Sequence, residues 1–190
     1  MTDLTQIPVP NEGPITDKVK EIYERSFPPE EEIPFPELLA SAQMDEVSFL
    51  AWIDPSLPAG EDGAGNVVAM TFSFAFPDLF YLGFLAVDGA ARSAGYGTRI
   101  LTYFHERYGD VPQLLEIEQV VREAGNYQQR VRRLAFYERN GFEVTNMLTH
   151  EADQTYRVLA RDGIVSPQRL EEALNSVTDD PAYASRVTTD

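Results

Sequence analysis

The segment 79–98, LFYLGFLAVDGAARSAGYGT, decides the fold. Its first nine residues, Leu79 to Val87, form a nearly continuous apolar run, as expected of a strand covered on both faces in the middle of a sheet. Gly83 within the run marks a bulge or a close approach of backbone. From Gly95 onward the apolar period becomes helical, with Ile100, Leu101, Phe104 and Tyr108 on one stripe. Between strand and helix lie Asp88 to Gly97, mostly small residues and glycines. Such a loop is an anion cradle: its N–H groups converge at a helix N-terminus that carries roughly +0.5 charge, and Arg92 adds a full charge at the rim. Two familiar phosphate motifs fail here. Gly97 is followed by Thr98-Arg99 where the Walker form needs Lys-Ser/Thr, and Ile100 stands where G-x-G-x-x-G needs its last glycine. A nucleotide hydrolase and an ordinary dehydrogenase are thereby disfavoured.

Upstream of this segment, Leu4 to Val9 reads as extended and Thr16 to Ser26 as a helix, with Thr16 followed by Asp17 as its N-terminus. Phe27-Pro28-Pro29 must break that helix. An elbow with Glu30, Glu31, Glu32 and Pro34-Phe35-Pro36 leads to a second short helix over Glu37 to Ala42. Val47 to Ile53 and Asn66 to Phe76 read as a hairpin. Downstream, Gln113 to Glu118 is a strand that puts Glu116 and Glu118 on one face. Tyr127 to Arg139 is a helix with Val131, Leu134 and Ala135 inward, and Phe142 to Leu148 and Thr155 to Ala160 are the closing strands. Ser166 to Ser176 forms a terminal helix, and Thr178 to Asp190 is expected to be a mobile acidic tail. The expected organisation is one α/β domain over 1–165, a sheet with helices on both faces, followed by the helix and tail of 166–190.

The 190 residues include no cysteine, which excludes disulfide scaffolds, thiolate zinc sites and cysteine nucleophiles together. With His105 and His150 the only histidines, no metal site is expected. A net charge of −16 argues against nucleic acid and anionic membranes as partners. The N-terminus has no basic start or apolar run, and no stretch reaches the roughly 18 apolar residues of a membrane span, so a soluble cytoplasmic protein is expected. The charge is uneven. From Arg92 to Arg139, eight arginines face six acids, which leaves −18 for the rest of the chain. Lysine occurs only at 18 and 20, so the cationic character is arginine, the better fork for phosphate oxygens. A coding bias toward arginine on solvated helix faces accounts for the same pattern.

Arg92-Ser93-Ala94-Gly95-Tyr96-Gly97 resembles the R/Q-x-x-G-x-G/A signature of the GNAT N-acetyltransferases, placed as in them after an apolar strand. Ala135-Phe136-Tyr137-Glu138-Arg139-Asn140-Gly141-Phe142 resembles that family's closing Y-x-x-x-G-F element. The two motifs in this order, with a strand between them, are far more specific than either alone, and the resemblance covers roughly residues 1–160. It implies a mixed, mostly antiparallel central sheet with a splayed pair of central strands, Leu79 to Val87 and Gln113 to Glu118. The acetyl-CoA pantetheine would pair with backbone at Leu85, Ala86 and Val87, like an added strand, with the thioester carbonyl polarised near Leu85. The pyrophosphate would sit on the N–H groups of Ser93, Ala94, Gly95, Tyr96, Gly97 and Thr98, with Arg92 beside it. Tyr137 would be the general acid that protonates the CoA thiolate; a core tyrosine stacked in the sheet is the competing reading. The family's asparagine before this tyrosine is missing at the usual distance, where Arg130 stands. Asn126, eleven residues before, is either a CoA ligand or the helix cap. Arg130 and Arg133 either reach phosphates of the adenosine end or line a solvated face.

Amine acetylation also needs a group that removes the ammonium proton. Tyr81 and Gly83 stand where relatives sometimes carry an acid, and neither is a carboxylate. Glu118, with Glu116 one pleat behind, is the remaining candidate base, unless both face solvent. His105 is expected to be solvated and His150 to end a strand. The expected acceptor is an amine, its wall the first two helices and the elbow. There Glu30, Glu31, Glu32 and Glu37 would attract a cation and Phe27 and Phe35 would hold its apolar part. The expected activity is N-acetyl transfer from acetyl-CoA to a primary amine. The alternatives are a non-catalytic acyl-CoA-binding sensor or interaction module, and a nucleotide-binding regulator. Leu170, Ala173, Leu174 and Val177 give the terminal helix one apolar side, which packs on its own domain or on a neighbour's in a homodimer.

Overall fold

The computed structural model describes residues 4–27, 33–92, 94–151, 153–178 and 184–190. In chain order these form β1 (Thr5–Pro8), α1 (Pro14–Ser26), α2 (Phe35–Ser41), β2 (Val47–Ile53), β3 (Val67–Phe76), β4 (Leu79–Val87), a 3-10 turn (Gly89–Ala91), α3 (Tyr96–Tyr108), β5 (Gln113–Glu118), α4 (Tyr127–Arg139), β6 (Glu143–Glu151), β7 (Gln154–Arg161), α5 (Pro167–Ser176) and β8 (Ser185–Thr189). The strands make a mixed, mostly antiparallel sheet in the order β1-β2-β3-β4-β5-β7-β6-β8. β4 and β5 pair in parallel, through Phe80, Tyr81 and Leu82 against Gln113, Leu114 and Leu115. Beyond Leu82 that ladder stops. The chain divides into two compact units, Met1–Phe74 with Gly83–Tyr103, and Ala75–Leu82 with Phe104–Asp190.

In the first unit β2 pairs antiparallel with β1 and β3, in the predicted hairpin. Period two sends Phe49 and Trp52 to opposite faces of β2. Phe49 meets Phe35 of α2 at 5.6 Å, and Trp52 meets Tyr103 of α3 at 5.1 Å, so helices cover both faces. Phe84 of β4 is ringed by Tyr23, Phe27 and Phe72. Edge-to-face contacts of this kind add to the area they bury. A Cβ on Gly83 would lie 3.4 Å from the Phe72 carbonyl, an ordinary van der Waals contact, so the expected close approach of backbone is not what places a glycine there. α1 starts two residues earlier than the sequence suggests. Gly13, at φ 109°, is its N-cap, and Pro14 fills the first helical position, where a missing N–H costs nothing. Thr16, expected to start the helix, is buried within the first turn and donates its hydroxyl to the Pro10 carbonyl at 2.7 Å.

In the second unit β7 lies between β5 and β6. Arg161 is buried, with Nε and Nη2 donating to Gln113 Oε1 and Nη1 to the Asn140 carbonyl. Its guanidinium also lies 4.6 Å from the Phe142 ring centre. The expectation of a mobile tail over 178–190 is corrected for 185–189, which form β8 along β6. Ser185 and Val187 are buried and Arg186 is exposed, a period-two pattern. Asn175 of α5 donates to and accepts from the backbone of Ser185, and Glu171 accepts from Val187 N–H. The apolar side of α5 is buried at Leu170, Ala173 and Leu174 within the protein's own fold.

Candidate active site

The loop after β4 is built from its first residue. The Asp88 carboxylate accepts from Ala90 N–H at 3.0 Å and caps the 3-10 turn, and Asp88 N–H donates to the Val68 carbonyl at 2.8 Å. Lys18 of α1 pairs with the other carboxylate oxygen at 2.5 Å. Both groups shift to favour the ion pair: Lys18 is raised, chiefly by its bond to Asp88, while Asp88 is lowered because Lys18 and Ala90 outweigh its burial. Gly95, at φ 79°, turns the chain into α3, a conformation that favours glycine. The first intrahelical bond of α3 is Arg99 N–H to the Gly95 carbonyl, so the N–H groups of Tyr96, Gly97 and Thr98 precede it and have no partner within the helix. Nothing lies within 4 Å of where a Gly95 Cβ would project. Arg92 and Ala94 are exposed, and Ser93 lies outside the described residues.

The Tyr96 side chain turns inward. Its hydroxyl donates to Asp54 at 2.8 Å, and Asp54 also accepts from Ser56 N–H and Oγ, with Arg99 3.9 Å away. These bonds hold the Asp54 carboxyl below its usual range, the two from Ser56 foremost. Tyr96 can therefore offer an anion only its backbone. Neither Asp54 nor Lys18 was singled out by the sequence, where Asp54-Pro55 reads as the end of a strand and Lys18 as one charge on an amphipathic helix. Beside the loop is a cavity of about 450 Å³ lined by Lys18, Glu21, Arg25, Asp88 and Arg92 among others, three cations to two carboxylates.

In the second unit Tyr137 sits near the end of α4, its ring 5.1 Å from that of Phe136 and 5.8 Å from that of Phe142. Burial pushes its hydroxyl up to about 12, against the opposite pull of Arg133. Glu118 is bound on both oxygens. Asn126 Nδ2 and Arg130 Nη2 reach Oε1 at 2.9 Å each, and Arg133 Nη1 reaches Oε2 at 3.0 Å. Asn126 does stand at the N-cap of α4, yet its side chain makes no capping bond and accepts from Arg130 Nε instead. Both arginines pair with Glu118, Arg130 also donates to the Gln119 carbonyl at 2.8 Å, and Arg133 keeps a side-chain exposure of 35%. Glu116 has different company: Thr149 donates to it, and Tyr81, buried and with its hydroxyl pushed well above its usual value, hydrogen-bonds to it. Val131, Leu134 and Ala135 of α4 are half-buried rather than buried.

The acceptor wall differs from expectation. Phe35 is buried against Tyr23 and Phe49 and serves the core, while Phe27 is half-buried, tilted against Tyr23 and edge-on to Phe84. The Tyr23 hydroxyl bonds both backbone groups of Ile33, which draws the chain after the elbow back onto α1. Glu37 is exposed, and Glu30, Glu31 and Glu32 lie outside the described residues. His105 is not simply solvated, since its Nδ1 bonds Asp162 at 2.8 Å; His150 bonds Thr155 and Thr188 within the strands.

The model of the acetyltransferase (GNAT) domain matches residues 49–144, half of the chain, and spans the cradle and Tyr137 together. The chain belongs to the GNAT acetyltransferase family. It is an enzyme of acetyl transfer. No curated protein is similar enough in sequence to count as a relative. Solved structures share the GNAT fold. A GNAT-family protein from Bacteroides thetaiotaomicron has a TM-score of 0.63 at 22% identity over 91% of this chain and 97% of its own. An aminoglycoside 6'-N-acetyltransferase in complex with coenzyme A gives 0.60 at 15%, over 86% and 98%. The ribosomal-protein-S18-alanine N-acetyltransferase of Escherichia coli gives 0.56 at 17%, over 86% and 96%. Among the described residues of this GNAT chain, no helix is long and apolar enough to cross a membrane.

Proposed function

We propose that the protein transfers the acetyl group of acetyl-CoA to a primary amine by direct attack. The residues fit the cofactor. The N–H groups of Tyr96, Gly97 and Thr98 at the head of α3 would hold its pyrophosphate together with Arg92, Ser93, Ala94 and Gly95. Leu85, Ala86 and Val87 would pair with its pantetheine, like an added strand. When bound, acetyl-CoA supplies an activated acetyl group and a thiolate leaving group.

The observation that carries the reading is Tyr137 in its Y-x-x-x-G-F element at the end of α4. Its phenol, raised to about 12 by burial, carries its proton throughout the neutral range, as an unshifted phenol also would, and can donate it to the thiolate. Of the two carboxylates on β5, Glu118 can take a proton only by giving up bonds to two guanidinium groups, so it is better suited to fix α4. Asn126 would act with it there. Glu116, which accepts from the Thr149 hydroxyl and bonds the buried Tyr81 hydroxyl, is proposed as the carboxylate that accepts the ammonium proton. The amine is proposed to be cationic, attracted by a protein at −16.

Tyr137→Phe tests the reading. Free-thiol release should fall by about 10²-fold in kcat, while calorimetry shows unchanged binding of CoA. A fully active phenylalanine variant would remove Tyr137 from the chemistry, and a wild-type protein that binds CoA without releasing thiol on any amine would make it a sensor.

A further inference from the structure

We propose that Lys18 is a positioning residue for the cofactor loop, acting through Asp88. The proposal rests on the reading of 88–98 as the acetyl-CoA cradle.

Asp88 is where β4 ends and the loop begins. Two backbone bonds and one to the side chain set the direction of departure: Asp88 N–H to the Val68 carbonyl at 2.8 Å, Ala91 N–H to the Asp88 carbonyl at 2.9 Å, and Ala90 N–H to Asp88 Oδ1 at 3.0 Å. The last depends on the rotation of the carboxylate about its own axis. That rotation is fixed from outside the loop, because Lys18 Nζ holds Oδ2 at 2.5 Å. The pair is well shielded, with side-chain exposures of 24% and 14%. α1, which carries Lys18, is itself immobilised through Val19, Ile22 and Tyr23, all buried. A rigid helix thus clamps the residue from which the cradle is hung.

Charge adds to geometry. Asp88 lies four residues before Arg92, so an uncompensated carboxylate there would repel the pyrophosphate the loop is to hold. Lys18 neutralises it, and the neighbouring charges cancel in part, since Glu21 faces both Lys18 and Arg25. Lys18 pairs with Asp88 and Glu21. Its contribution is carried wholly by Asp88.

The measurements are the KM for acetyl-CoA and kcat at saturating acceptor, the affinity for CoA by calorimetry, and the melting temperature, for Lys18→Met, Lys18→Arg, Asp88→Asn and the double variant Lys18→Met/Asp88→Asn. Lys18→Met should weaken CoA and raise its KM by about five- to tenfold, the scale of one charge-assisted bond lost near an anion site. kcat should stay within about twofold, since no reacting atom is touched. Lys18→Arg should restore most of the affinity. The double variant should be no worse than Lys18→Met alone, because the lysine acts only through the aspartate. Unchanged CoA affinity in Lys18→Met, or a double variant whose losses simply add, overturns the proposal. So does a lower melting temperature with KM unmoved, the mark of a merely structural pair. If Lys18→Met does not fold, Asp88→Asn and Lys18→Arg carry the same comparison. A wild-type protein that binds no CoA overturns the cradle reading and this proposal together.

Discussion

Asp54 shows how much a single side chain can decide at the start of α3. It is buried at 6% exposure and accepts from Ser56 twice and from the Tyr96 hydroxyl. A buried carboxylate is tolerated only when its oxygens are satisfied, and here the satisfaction locks the first residue of the helix whose N–H groups are proposed to hold the cofactor. The linkage has a definite sign. The folded Asp54 titrates below its unfolded value near 4, so its contribution is complete above about pH 4 and is lost as pH falls through the depressed value. Asp54→Asn should therefore cost stability at neutral pH and cost progressively less as pH falls below about 4. Chemical denaturation followed by fluorescence of the single tryptophan, Trp52, can be run from about pH 3 to about pH 7 on both proteins. A difference between them that does not shrink toward acid would show that the charge of Asp54 is irrelevant.

Elements were legible in the sequence where local pattern and long-range packing agree. β2 and β5 begin and end where their β-rich runs do, and β4 where its apolar run does. The cradle was readable for the same reason: glycines and small residues between a strand and a helix are a local signal. What was not readable depends on residues distant in the chain. Asp54 meets Tyr96 across 42 positions, and Glu118 recruits arginines 12 and 15 residues away. No periodicity reports such a pairing. β8 is the instructive failure, because Ser185-Arg186-Val187 does alternate but is short, polar and terminal, and only β6 and α5 give it a place. Ending the chain at residue 178 should remove the Val187 burial, the ladder on β6 and the Arg157–Asp190 ion pair together. We expect a loss of about 2–3 kcal/mol, or about 5–10 °C in melting temperature. An unchanged melting curve would mean that β8 adds nothing to the stability of the unit it closes.

For the whole molecule the decisive quantity is charge and its distribution. By net charge alone a chain at −16 is a poor host for an anionic cofactor, yet 92–139 carries +2 and the rest −18. Backbone N–H groups need no net charge to hold a pyrophosphate, and they act at contact distance. The remaining charge acts at long range, on whatever approaches from solution. A cationic amine should be drawn in by this field, and the attraction should weaken as salt shortens the screening length from roughly 20–30 Å near 10–20 mM to below 10 Å near 200 mM. The KM of a cationic acceptor should accordingly rise by about three- to tenfold over that range, while that of a neutral amine of similar size stays level. Measured at saturating acetyl-CoA, the ratio of the two KM values isolates the acceptor from the cofactor. Glu37 is exposed, and replacing it with glutamine should reduce the salt slope only slightly if the field is global. A cationic acceptor whose KM ignores salt, or an anionic amine preferred at every ionic strength, would show that the acidic surface plays no part in choosing the acceptor.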